Sequence, residues 1–251
     1  MEHHGVCLAR TLTQRFPEME HESTLLSRLA EAARSLDDRP GLPLTARESV
    51  ELAVRLVSGC DAAGITRVQG KSVRTIAETH PIAKSGDELQ YHFGEGPCLE
   101  ALGDVEFIRS DDVSTDPRWP RWGPRAHREL GVGSMLSLRL FTADSTVGAL
   151  NLYALQKQSF SDVSHLEGRA LAAQCAVALA SADTIDNLHV AVRHRTTIGQ
   201  AQGILMERFS MDSDNAFAVL TRLSQDHNEK LYDLACRIVT TRTLPGTGIA
   251  G

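Results

Sequence analysis

The chain has 251 residues, of which 42% are apolar and 23% charged, and its formal net charge is −6 at neutral pH. This length predicts one or two domains with a sizeable core. No apolar run reaches the roughly 18 residues of a membrane helix, and the amino-terminal residues lack the apolar core of a secretory signal. The five cysteines are widely spaced without a CxxC pair, which excludes a disulfide scaffold and a four-cysteine zinc site. We therefore expect a cytoplasmic protein with no membrane partner.

The amino-terminal part of the chain predicts two helices. One helical face is formed by Leu25, Leu29, Ala32 and Leu36. Residues 1–43 are therefore predicted to be a tail followed by a helix. The DDRPGLP segment (37–43) then ends this helix, because proline and glycine do not continue it. Thr45 is expected to be the N-cap of a second helix, with Glu48 at the spacing of a capping box.

The middle of the chain predicts antiparallel strands. DAAGITRV (61–68) and SVRTIAET (72–79) are short, β-branched runs separated by a turn. Met135–Leu140 alternates leucine with polar residues, and Val147–Tyr153 is a similar run after a short loop. This pair is predicted to be an antiparallel hairpin with one half-buried face.

A long helix is predicted from Asp162 to about Arg208, because this stretch has no proline and only three glycines. Spacings of four and three alternate through Leu171, Cys175, Ala178, Ala182, Ile185, His189 and Val192. A seven-residue repeat of this kind is typical of helices that pack along their length. Up to residue 182 the simpler interpretation is a helix that covers its own sheet. Beyond that point we expect a partner helix, with a dimer seam at Ala182, Ile185, His189 and Val192.

The last part of the chain predicts three short helical segments. Asp212 is expected to cap the second segment and Asn228 the third. Residues 193–251 carry seven basic and six acidic groups, which by itself is weak evidence for nucleic-acid binding. Residues 246–251 are predicted to be a tail.

Residues 198–239 resemble the ANTAR domain, a three-helix RNA-binding module of bacterial transcription antiterminators. The runs that carry the resemblance are AQGILMER at 201–208, AFxxL at 216–220 and NxKLxxxA at 228–235. The resemblance implies an all-α three-helix bundle within residues 183–245, entered by a coiled-coil helix. It also implies a homodimer that binds paired RNA stem-loops.

The same resemblance implies which side chains contact RNA. They are Gln202, Gly203, Arg208, Arg222, Ser224, Asn228 and Lys230. Gln202 departs from the family, which usually has a lysine there, so a cation that would contact phosphate is missing. The alternative for Arg208 and Arg222 is an ordinary solvated helix surface.

Residues 44–182 resemble a GAF sensor domain of the kind that is fused to ANTAR domains in actinobacteria. The segments that carry this resemblance are LQYHFGEGPCLEAL (89–102), DDVSTDPRW (111–119) and VGALNLYA (147–154). It implies an α+β fold in which helices flank an antiparallel sheet, and a small-molecule or redox signal of unknown identity. A typical cyclic-nucleotide site is disfavoured, because Asn151 is followed by Leu152 where the family's cyclic-nucleotide signature has lysine.

Cys98, Trp119 and Trp122 are the candidate residues of a sensor pocket. Cys98 follows a Gly-Pro turn that can open a helix, and a helix N-terminus lowers the pKa of a thiol. A redox-sensing or catalytic cysteine is one interpretation, and a small buried packing residue is the other. The two tryptophans either line a pocket or pin their loop to the sheet.

The sequence as a whole predicts a signal-responsive RNA-binding regulator of transcription antitermination that is not an enzyme. No histidine or cysteine motif indicates a metal site, and no cofactor is expected. Two alternatives stay open. One is a GAF-mediated dimerisation regulator that does not bind RNA. The other is a methionine sulfoxide reductase or redox sensor that uses Cys98.

Overall fold

The computed structural model describes residues 25–70, 72–103, 105–143 and 145–244. The chain forms two compact units that divide between Asp183 and Thr184. In the described residues, the first unit has one sheet with helices on both faces, and the second unit contains helices only. The expected α+β fold followed by an all-α bundle is confirmed.

The bounds of the elements follow the predicted order. The strands are β1 (Ala62–Gln69), β2 (Ser72–Glu78), β3 (Phe107–Ser110), β4 (Ser134–Phe141) and β5 (Thr146–Ala154). The helices before the last strand are α1 over residues 25–37, α2 (Leu42–Leu56), α3 (Pro81–Phe93), α4 (Pro97–Ala101) and α5 (Trp122–Leu130). The helices after it are α6 (Asp162–Phe209), α7 (Ser213–Asp226) and α8 (Leu231–Thr241).

The sheet is antiparallel throughout, with strand order β2-β1-β5-β4-β3. The predicted hairpin of β4 and β5 is present and pairs Ser137 with Asn151. Its expected half-buried face is not observed, because nearly every residue of both strands is buried. Helices cover both faces, so the polar residues of these strands, including Ser137 and Asn151, need partners inside the protein.

Alternating side chains of the sheet supply two separate cores. Leu136, Leu138 and Leu140 pack with α1, α2 and the first half of α6 on one face. Met135 and Tyr153 face the other way and pack with residues of α3, α4 and α5. Because successive side chains of a strand point to opposite faces, the leucines lie on one face of the sheet and the more polar residues on the other.

Helix α2 begins earlier than expected, at Leu42, and its N-cap is Gly41 without a side-chain cap. Pro43 explains the difference, because its fixed φ is compatible with the first helical turn. Thr45 lies inside the helix, where its hydroxyl donates to the Gly41 carbonyl at 3.0 Å. Glu48 forms ion pairs instead of a capping box, so that prediction is wrong.

Helix α6 has 48 residues, which confirms the continuous helix predicted from the absence of proline. In the second unit, the core comprises Ala201, Leu205, Ala216, Leu220, Leu234, Ala235 and Ile238. Asp212 caps α7 as predicted, accepting from the Asn215 amide at 2.8 Å. Asn228 does not cap α8. It has a φ of 49°, and the N-cap is Lys230.

Candidate nucleic-acid interface and sensor core

The predicted RNA-contacting residues on α6 lie toward the carboxyl end of that helix. The Gln202 side-chain amide donates to the Ser213 carbonyl at 3.0 Å, so it is engaged at the start of α7. Arg208 donates to the Arg242 carbonyl at 2.6 Å, where α8 ends. Gly203 is exposed on the same helix. One end of the bundle therefore presents two arginines beside exposed helix backbone.

The other predicted RNA-contacting residues surround the turn between α7 and α8. Arg222 is exposed and lies 3.7 Å from Asp226 one helical turn later. Ser224 donates to the Glu229 carbonyl at 2.6 Å and thus holds the turn. Lys230, the N-cap of α8, is exposed. The Ser224 hydroxyl is committed to the fold, whereas the charged groups point to solvent.

These two groups of residues do not form one patch. His194 of α6 stacks on Tyr232 at the start of α8, with ring centroids 3.8 Å apart. Arg208 contacts Arg242 after the other end of α8. Fourteen residues of α6 separate these contacts, which corresponds to about 21 Å at 1.5 Å per residue. The predicted set therefore occupies two ends of the bundle, one near Arg208 and one near Lys230.

A groove between α6 and α8 lies in the second unit. Its volume is about 740 Å³, and it is lined in part by Gly203, Ile204, Arg208, Val239 and Arg242. Only Gly203 and Arg208 belong to the residues predicted from the sequence. The α8 side was missed because Val239 and Arg242 lie outside the runs that carry the family resemblance.

The predicted sensor residues are buried together in the first unit. Cys98, Trp119 and Trp122 belong to the same core cluster, and none is more than 1% exposed. The tryptophan rings meet edge to face with centroids 5.8 Å apart. Trp122 also donates from its ring nitrogen to the Gly86 carbonyl at 3.1 Å. Of the two interpretations for these tryptophans, this geometry fits pinning of the loop.

A buried network of hydrogen bonds surrounds Asp87, and sequence reasoning missed it. The Asp87 carboxylate accepts from Tyr153 at 2.6 Å, from Asn151 at 2.8 Å and from Thr75 at 2.8 Å. Burial raises the pKa of Asp87 to about 6, although these hydrogen bonds oppose the shift. These donors lie on two strands, β2 and β5, which are far apart in the sequence, so no local motif indicated the site. Thr66 adds a longer hydrogen bond of 3.4 Å to Asp87, and the described residues place no ion pair on this carboxylate.

Cys98 contacts this network, and of its two interpretations the environment fits the small buried packing residue. Its thiol donates to the Thr66 hydroxyl at 3.2 Å. Burial, together with the Asp87 carboxylate, raises the pKa of Cys98 well above its usual value. The short helix α4 does not offset this desolvation, so the interpretation that needs a lowered thiol pKa is not supported. A thiolate, which redox or catalytic chemistry needs, is therefore disfavoured in this conformation.

The exposure of α6 excludes one residue of the predicted dimer seam and leaves the other three accessible. Ala182 is only 6% exposed, being buried by the chain itself, and is not available to a partner helix. Ile185 and Val192 are 50% and 63% exposed, as a seam requires. His189 is also exposed, but its neighbour Leu188 is the large apolar residue there, with 60% exposure.

Known protein families match both units. The model of the GAF domain matches residues 43–180, and that of the ANTAR domain matches residues 186–239. A search of curated proteins found no match. No helix among the described residues has the length and hydrophobicity to cross a bilayer. The described residues also contain no group of three histidine, cysteine or acidic side chains arranged to hold a metal ion.

Solved structures share the fold at low sequence identity. The GAF domain of a phosphoenolpyruvate-protein phosphotransferase from Coxiella burnetii is 17% identical, with a TM-score of 0.51, over 65% of this chain and 96% of that one. Free methionine-R-sulfoxide reductase from Neisseria meningitidis is 15% identical, with a TM-score of 0.51, over 64% and 91%. The phytochrome photosensory core of Stigmatella aurantiaca is 13% identical, with a TM-score of 0.54, over 80% and 44%. These similarities show the fold alone.

Proposed function

Because the chain belongs to the GAF domain family and carries an ANTAR domain after its GAF domain, we propose that it is a signal-responsive, RNA-binding regulator of transcription antitermination. The observation that carries the proposal is the ANTAR match to residues 186–239. The helices of this unit share an apolar core, so their charged surface is held on a defined scaffold. Its place of action is the cytoplasm, where nascent bacterial transcripts are made.

RNA binding in this proposal uses both ends of the helical bundle. Arg222 and Lys230 contact phosphates at one end, and Arg208 does so at the other. Paired stems are recognised through their backbone, whereas unpaired loop bases are recognised by stacking and by hydrogen bonds to their edges. A separation of about 21 Å between the two ends suits a stem and its loop better than a single nucleotide.

The GAF domain supplies the signal in this proposal. Its polar centre, formed by Asp87 and its donors, lies beside the core of Cys98, Trp119 and Trp122. A small molecule, a redox change or a partner protein that favours one packing of this core biases the state of the domain. A ligand shifts the domain between two packings of this core only if it binds one packing more tightly than the other.

Helix α6 carries the signal, because it begins in the GAF domain and ends in the ANTAR domain. We place a homodimer on its exposed apolar stripe, which includes Val177, Ile185, Leu188 and Val192. Apolar side chains that recur every three or four residues are the pattern by which two helices pair. Pairing two chains in this way presents two ANTAR bundles to two stem-loops of one transcript.

Selection from an RNA library tests the proposal directly. The library contains RNAs with two hairpins and randomised loops, and the full chain is the bait. We expect enrichment of defined loop sequences, with an affinity that decreases as salt increases. Crosslinking to cellular RNA then shows whether the enriched loops occur upstream of terminators. A library that shows no enrichment over several rounds, together with no crosslinked transcripts, contradicts the proposal.

A further inference from the structure

The groove between α6 and α8 has a shape and lining that the proposed RNA surface does not explain. Its walls include the apolar side chains of Ile204 and Val239, and Arg208 and Arg242 lie at one end. Glu207 is its one acidic lining residue in the described part of the chain. The apolar walls suit the flat face of a nucleotide base. The two arginines, opposed by one carboxylate, suit the negative phosphate that is linked to it.

Gly203 keeps this groove open. Glycine is among the poorest helix formers, and Gly203 lies in the interior of α6 on an exposed face. A Cβ atom built there meets no heavy atom within 4 Å. The packing of the described residues therefore does not require glycine at this position. What a side chain at 203 would change is the space available in the groove.

An aromatic pair lies on the same two helices, farther toward the start of α8. The rings of His194 and Tyr232 stack at 3.8 Å with an angle of 25° between their planes. The hydrogen bond of Tyr232 with Cys236 raises the pKa of the tyrosine, whereas nearby Arg193 and Thr197 lower it. Both rings are partly exposed. Tyr232 and Val239 are seven residues apart on α8, or about 10 Å, a distance that one or two nucleotides span.

We propose that the α6–α8 groove binds an unpaired RNA base over Gly203, between Ile204 and Val239, and that the next base stacks on the Tyr232–His194 pair. The proposal rests on the proposed function and adds a defined site for loop nucleotides to it. Arg208 and Arg242 then lie beside the phosphate of the bound nucleotide. Aromatic side chains are common stacking partners for unpaired RNA bases.

Filling the groove tests the proposal against a matched control. Gly203→Met and Gly199→Met are the same substitution on the same helix, one turn apart. Both glycines are exposed, and neither Cβ meets an atom within 4 Å, but only position 203 lines the groove. The probe is a two-hairpin RNA selected by the full wild-type chain. We expect Gly203→Met to weaken binding at least tenfold and Gly199→Met to change it less than twofold, with helical content preserved in both.

Equal affinities of wild type and Gly203→Met would overturn the groove site while RNA binding itself stands. Equal losses in both methionine variants would also overturn it, because the effect would not depend on the groove. If the wild-type chain selects no RNA, the proposed function fails instead. The two failures are therefore distinguishable.

Stacking on the aromatic pair is tested with 2-aminopurine placed at one loop position at a time. We expect the wild-type chain and Tyr232→Phe to quench its fluorescence at one position, because both keep an aromatic ring. Tyr232→Ala should lose most of this quenching. Quenching that is the same in all three proteins would overturn the stacking assignment.

Discussion

Asp87 places a carboxylate where water does not reach it. Three hydrogen bonds of 2.6–2.8 Å hold it, yet burial still raises its pKa to about 6 from an ordinary 3.8. The hydroxyl and amide donors inside the protein stabilise the charged carboxylate less than hydration does in solution. The first unit therefore retains an ionisable group that costs stability at neutral pH.

This cost predicts a pH dependence of unfolding. Because the folded pKa is above the unfolded one, the unfolded state releases the proton first as pH rises. The free energy of unfolding should thus fall between about pH 4 and pH 6, by about 3 kcal/mol for a shift of this size. In Asp87→Asn this fall should largely disappear, as urea titrations at several pH values can measure. A variant whose stability follows the wild-type pH profile would contradict this assignment.

Cys98 is predicted to be inert in the folded protein. It is fully buried, and its pKa is raised by burial and by Asp87, so iodoacetamide at pH 8 should leave it unmodified until the protein unfolds. Cys236 is half-buried in the second unit and is the internal comparison. Mass spectrometry of the tryptic peptides reads each cysteine separately. Fast labelling of Cys98 in native protein would restore the redox and reductase interpretations.

Phosphate contacts at the α7–α8 turn are predicted to make RNA binding depend on salt. Lys230→Ala and Arg222→Ala should each weaken affinity roughly threefold to tenfold and reduce the salt slope by about one. Lys84→Ala removes the same charge from an exposed position of α3 and serves as the control. Fluorescence anisotropy at several salt concentrations measures both quantities. Unchanged slopes in both variants would remove this turn from the interface.

At the level of elements, α6 has a different environment on each of its faces. Leu171, Cys175 and Leu179 pack into the core of the GAF domain. Val177 and Leu188 are exposed on the same helix, at 61% and 60%. The sequence repeat is compatible with either face, because both recur every three or four residues. Only the fold separates the covered face from the exposed one, which is why the predicted seam included buried Ala182 and chose His189 over Leu188.

The exposed stripe predicts the effect of a charge on assembly. Leu188→Asp should convert a dimer into a monomer at micromolar concentration, because a carboxylate in a helix seam is desolvated without a partner. Val190→Asp is the matched control, since two residues rotate the side chain by about 200° away from the stripe. Light scattering of the full chain gives both masses. A wild-type mass of one chain, or equal effects of the two variants, would contradict the proposed seam.

Over the whole molecule, regular patterns were predictable and sites built from distant residues were not. The hairpin of β4 and β5 and the long helix α6 follow from periods of two and 3.6 residues. The start of α2 was misplaced because Pro43 permits an earlier first turn than Thr45 does. The donors to Asp87 extend from Thr66 to Tyr153, and their convergence depends on strand order, which no local pattern encodes.

In the proposed function, the two domains together make a regulator in which sensing and RNA binding share one helix. The GAF domain contains a buried polar network around Asp87 beside an apolar core, and the ANTAR domain exposes arginines, a lysine and a groove.

The central claim is that the ANTAR domain recognises unpaired loop bases, and one affinity comparison tests it most directly. The full chain is titrated with a selected two-hairpin RNA, and then with the same RNA in which both loops are replaced by continuous paired stem. The account predicts that removing the loops weakens binding at least tenfold at physiological salt. Equal affinity for the two RNAs would mean that only the phosphate backbone is contacted, and it would contradict the account.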